Sequence, residues 1–188
     1  MKRIVSLLLI LTLVFALASC APAGADLSKY QNAIDATSPA KVTISTKLNA
    51  DDVELLGSYE IVYADGVANI TYQYEELTLL GDNIKETVGP ITTTLSPDGT
   101  ATGVNGNITS AAKLNVKLDA AKMKSFIEAK GILTCEILAA NTASVLGFST
   151  GADTSLELRL TADGKIGSAS INYTTGEGYL SSVIITFE

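Results

Sequence analysis

The chain has no histidine and no tryptophan, and aromatic residues of every kind make up only 6% of it. Without histidine, Ser-His-Asp and Cys-His relays lose their base, and the common nitrogen ligand of transition-metal sites is gone. No Gly-rich loop with the spacing of a phosphate cradle occurs either. Positive charge is scarce: Lys and Arg number 13 against 20 Asp and Glu, for a net charge of −7. That balance argues against nucleic acid as a partner and against a surface that grips anionic lipid head groups. Long apolar runs are missing from all but the first residues. Carboxylates are plentiful but not arranged for catalysis. Asp51-Asp52 and Glu75-Glu76 are adjacent, and neighbours on a strand face opposite ways, so neither pair makes an acid/base dyad. Gly81-Asp82-Asn83 and the Asp-Gly pairs lack the alternating spacing of a calcium loop and read as turns. No metal, no cofactor and no enzymatic activity are expected.

What is present begins at the N-terminus. Lys2 and Arg3 precede an almost wholly apolar stretch at 4–18, broken only by Ser6 and Thr12. It is shorter than the about 20 residues that span a bilayer, but it has the size of an export-signal core. It ends Leu17-Ala18-Ser19-Cys20. An aliphatic residue, two small residues and a cysteine resemble the bacterial lipobox, which implies cleavage before Cys20 and lipid on its thiol. The organisation expected is a signal peptide at 1–19, a lipidated cysteine with a short tether at 20–25, and one domain at 26–188. Acyl burial at about 0.8 kcal/mol per methylene would make lipid on Cys20 an effective membrane anchor. The expected location is the extracytoplasmic side of a bacterial membrane, in the cell envelope.

The domain reads mainly as strands. Asp26 can cap a helix running to Ala36, with Leu27, Tyr30 and Ile34 on one face and Ser38-Pro39 as its stop. Asp65-Gly66 is a two-residue hairpin signal. Folding there sets Tyr63 against Ala68, Ile61 against Ile70 and Tyr59 against Tyr72, an apolar face, with a mainly polar set behind it. Asp163-Gly164 similarly pairs Leu160 with Gly167, Leu158 with Ala169 and Leu156 with Ile171, and puts Ile166 outward. Asp98-Gly99 gives a weaker hairpin, with Leu95, Thr93 and Ile91 opposite Thr102, Val104 and Gly106. A closing strand at 179–187 should pair with the strand around Ile171. Asp119 reads as the cap of a second helix reaching Lys130 and stopped by Gly131, with Ala120, Met123, Phe126 and Ile127 on one face. A short helical turn is expected at 141–146, closed by Gly147. Alternation puts Cys135 with Leu133 and Ile137 as a buried small apolar residue.

The expected fold is α+β: a curved antiparallel sheet, a half-barrel of seven to nine strands, with a few short helices packed on one face. Tyr59, Tyr63 and Tyr72 gather on the apolar face of the first hairpin, and each combines a broad ring with a polar tip. They read as sheet lining covered by the protein's own helices, or as the lining of an apolar ligand site.

Across residues 26–188 the order of elements resembles the lipoprotein-carrier superfamily, the LolA/LolB-like and related mycobacterial lipoprotein folds. The stretches Leu133 to Gly147 and Leu158-Arg-Leu-Thr-Ala-Asp-Gly-Lys to Ile171-Asn-Tyr-Thr-Thr also look like uncharacterised exported lipoproteins of clostridial-type bacteria. The first resemblance implies a curved sheet closed by helices over a cavity that takes acyl chains or a similar hydrophobic ligand. The anchored lipoprotein-transferring member uses an exposed hydrophobic loop that is not found here. The functional expectation is a membrane-anchored protein that binds an apolar or amphiphilic, lipid-like small molecule. The alternative is a structural or protein-interaction lipoprotein with a solid core.

Overall fold

The computed structural model describes residues 25–65, 67–78, 85–96 and 100–188. Cys20, with the expected signal and most of the expected tether, lies outside the described residues, as do Gly81-Asp82-Asn83 and the Asp98-Gly99 pair. No described helix is long and apolar enough to cross a membrane.

Among the described residues, nine antiparallel strands form one sheet. The first four are β1 (Lys41–Ala50), β2 (Val53–Ala64), β3 (Val67–Thr78) and β4 (Lys85–Leu95). The other five are β5 (Met123–Ala129), β6 (Ile132–Ile137), β7 (Thr154–Leu160), β8 (Ile166–Thr174) and β9 (Leu180–Phe187). Their order is β4-β3-β2-β1-β9-β8-β7-β6-β5. Each half is therefore a meander, and the halves join where β1 meets β9. Glu188 seals that seam by exchanging backbone hydrogen bonds with Lys41 at 2.9 and 3.1 Å.

The half-barrel expectation is corrected here. The sheet is neither curled nor closed, and β4 and β5 are its two open edges. Curvature in a sheet comes from bulges and glycine kinks. The bulges fall in the ladders β3–β4, β5–β6 and β7–β8. The ladders joining β3, β2, β1, β9 and β8 keep their register without a break. The middle of the sheet thus lacks the bulges that would bend it round.

One face is apolar from β3 across to β6. Ile70, Ile61, Val42, Phe187 and Ile44, Ile185, Ala169, Leu158, Leu133 are all buried on it. Three α-helices among the described residues lie over this face: α1 (Leu27–Ala36), α2 (Gly106–Ala112) and α3 (Thr142–Leu146). Asp26 caps α1, its carboxylate accepting from the backbone N–H of Ser28 and Lys29 at 3.0 and 3.2 Å. The helix buries Tyr30, Ala33 and Ile34 against β7 and β8. Gly147 ends α3 at φ +81°, a left-handed stop that glycine adopts without strain. Each large apolar side chain so covered contributes about 1.5–3 kcal/mol of hydrophobic stabilisation before ordering costs are subtracted.

The second expected helix is also corrected. Asp119 does cap, accepting from Ala121 N–H at 3.0 Å, but only a single 3-10 turn follows, Ala120–Lys122. The chain then extends as β5 and folds back at Lys130-Gly131, where φ is +51° and +77°. Two successive left-handed residues make the two-residue turn that matches strand twist. Gly131 is therefore a hairpin residue, not a helix stop. Pairing Phe126 with Cys135 covers the edge of the apolar face, and Ile127 goes to solvent.

Two further expectations change. After Leu95 the chain forms no return strand, so Thr102 and Val104 pair with nothing in the sheet, and the segment leads into α2 instead. In the Asp163-Gly164 hairpin, Leu158 meets Ala169 and Leu156 meets Ile171 as read, but a bulge sets Leu160 against Ile166. That extra residue turns Ile166 inward, where it is buried. Asp51-Asp52 is the turn joining β1 to β2, with Asp51 at φ +48°, and not a strand pair.

Candidate functional site

The helices do not reach the whole apolar face. At the end of the sheet carrying the β1–β2 turn, they leave an open groove of about 500 Å³. Its size falls within the range of small-molecule sites, about 300–1,000 Å³. The floor comes from the strands: Leu48 of β1, Leu55 and Gly57 of β2, Val88 of β4 and Val183 of β9. The wall comes from Ile108 and Ala111 of α2 and from Phe148 after α3. The inner wall is core, while Leu55 and Val88 are 38% and 55% exposed. Leu55 and Val88 thus extend the apolar floor out to the solvent-facing end of the groove.

Tyrosines form the inner end of the groove. Tyr59 and Tyr72 sit directly opposite on β2 and β3, with ring centroids 6.3 Å apart and planes 27° apart. Tyr74 meets both edge-on, at 5.7 and 5.5 Å. The Tyr59 hydroxyl donates to that of Tyr74 at 2.9 Å. Burial, then the neighbouring Tyr74 hydroxyl, holds the Tyr59 phenol well above its ordinary value, so it stays a neutral donor. Gly57 makes this possible. A Cβ there would collide with the Thr46 hydroxyl and touch the Tyr59 ring at 3.0 Å.

The three tyrosines singled out by sequence are thus separated. Tyr59 lines the groove. Tyr72 lies in the core beneath it, close under Gly103, and does not line it. Tyr63 stands at the far end of the hairpin against Ala68, half-buried and away from the groove, with its phenol raised by burial. Tyr74 was missed. The signal for it was there, because carrying the Tyr59–Tyr72 register two residues further sets Tyr74 against Gly57 on the same face. Ile108 and Phe148 come from connections with no strand period, and alternation had no means of finding them.

A second recess of about 500 Å³ opens on the uncovered face of the sheet, lined by Lys47, Asn49, Glu136, Ser155, Asn172 and Ser182 among others. Its cations are taken: Lys47 pairs with Glu54, and Lys124 with Glu136 at 3.5 Å. This recess reads as the solvated side of the sheet. Among the described residues no three His, Cys, Asp or Glu side chains converge as metal ligands. Cys135 is buried on the apolar face, and burial pushes its thiol up to about 12, which leaves it protonated and inert. Comparison with models of protein families and with curated proteins finds no match.

Proposed function

We propose that this protein is an exported lipoprotein, held by lipid on Cys20 to the extracytoplasmic side of a bacterial membrane, whose domain binds an apolar or amphiphilic small molecule. The observation that carries the binding reading is the open apolar groove ending at the Tyr59–Tyr74 pair. The charged start, apolar core and Leu17-Ala18-Ser19-Cys20 ending support the anchor. Binding works by burial: each methylene moved from water into the groove contributes about 0.8 kcal/mol. Native mass spectrometry followed by solvent extraction tests it. Near-stoichiometric co-purifying lipid or amphiphile is expected, and Gly57→Val, which fills the floor, should weaken its retention. A domain that stays empty and takes up no hydrophobic probe would end the reading. The anchor is tested separately, by incorporation of a labelled fatty acid that Cys20→Ser abolishes.

A second reading has one observation of its own. Edge strand β4 leaves its outer backbone groups unpaired by the sheet and exposes Val88 and Ile91. Such an edge suits strand addition by a protein partner, as a structural or interaction lipoprotein would need. Cross-linking from β4 in cells would identify that partner.

A further inference from the structure

Two carboxylates stand at the mouth of the groove. Glu76 of β3 and Glu86 of β4 are directly opposed across the ladder, on the groove side of the sheet. Like charges in opposed positions repel and destabilise a strand pair. Both side chains are exposed, and neither meets a cation among the described residues. Among the described residues, Lys47 is the cation that the strands bring to the groove's edge, and it is engaged by Glu54. Elsewhere on the sheet acids are answered: Glu60 by Lys41 at 2.8 Å, Glu136 by Lys124 and Glu128 by Lys29 at 2.6 Å. The groove therefore combines an apolar floor with a mouth whose two carboxylates meet no cation among the described residues.

We infer that the groove selects small single-chain amphiphiles with a cationic head, the chain lying along Leu48, Leu55, Gly57 and Val88 and the head placed between Glu76 and Glu86. This rests on the binding reading above and adds the charge of the ligand to it. A cation there relieves the repulsion between the two carboxylates, an attraction that an anionic head of equal chain length replaces with a third like charge. The negative mouth also speeds encounter with a positive ligand at low salt.

The test is isothermal titration of the protein with decyltrimethylammonium, decyl sulfate and decyl maltoside, each below its micelle concentration. One-to-one binding is expected for the cationic and neutral chains. The ammonium should bind about five- to tenfold tighter than the maltoside in low salt, an advantage that added salt reduces. In the Glu76→Gln/Glu86→Gln variant, folded by circular dichroism, the advantage should vanish while decyl maltoside binds as before. Equal binding of all three chains, or preference for the sulfate, overturns the selectivity and leaves the groove reading intact. Failure of every chain to bind overturns both.

Discussion

Tyr59 and Cys135 are both buried on the same sheet face, yet they differ in what burial does. Tyr59 keeps a hydroxyl partner in Tyr74, so its polar tip is satisfied and still points toward the groove. Cys135 lies between Phe126 and Leu156 on the flanking strands, and it acts as a small apolar side chain. Its thiol is pushed up to about 12 by burial, whereas an unfolded cysteine titrates near about 8.5. The folded pKa is the higher one, so its contribution to stability is complete below the unfolded value. It is lost as pH rises from there toward 12. A thiol reagent at pH 8 should therefore leave Cys135 unmodified in the folded protein and react with it only on unfolding. Melting temperature should fall more steeply between about pH 9 and 11 in the native chain than in Cys135→Ala. A thiol that reacts as fast in the folded protein as in urea would show that the face is not sealed.

Among elements, the β5–β6 hairpin and the expected helix at the same residues are the instructive case. Ala120, Met123, Phe126 and Ile127 fit a helical stripe, and Asp119 fits a cap. Both signals are local. The strand wins because β6 would otherwise end the sheet with Cys135 and Leu133 uncovered, and because Lys130-Gly131 can take two left-handed conformations in succession. Phe126 then covers the face, and Glu128 reaches Lys29 of α1. Gly131→Val puts a branched side chain at φ +77°, in open space, so the cost is backbone strain alone, about 1–2 kcal/mol. Chemical denaturation should show that loss with an unchanged slope, and Gly106→Ala, in open space within α2 at negative φ, should show none of it. An unchanged midpoint for Gly131→Val would show that the turn does not require a left-handed residue there.

For the whole molecule, the seam between β1 and β9 matters most. Everything else in the sheet is hairpin-like, each strand beside its neighbour in sequence, but this ladder joins Val42 to Phe187 and Asn49 to Leu180. One unbroken core runs beneath both meanders. Unfolding should therefore be a single transition by far- and near-ultraviolet circular dichroism. Hydrogen exchange should be slowest in β1, β9 and β8 and fastest in edge strand β4. Two separate transitions would mean that the meanders hold together independently of the seam.

Much of this was legible in the chain itself. Residue period and turn chemistry act over a few positions, so α1 with its Asp26 cap, the short helix before Gly147, and the Tyr59–Tyr72 register follow from sequence. The proposed export signal and Cys20 likewise rest on a local pattern, which lies outside the described residues. The remainder depends on groups that meet from distant parts of the chain. Sequence does not say that β1 closes on β9, because no turn joins them. It does not say that the sheet stays open, because bending depends on where bulges fall among all nine strands. The groove exists because α2 and α3 stop short of one end of the face, and its negative mouth exists because the β3–β4 register sets Glu76 against Glu86. Those are facts of packing and register, and they are decided only when the strands are laid side by side.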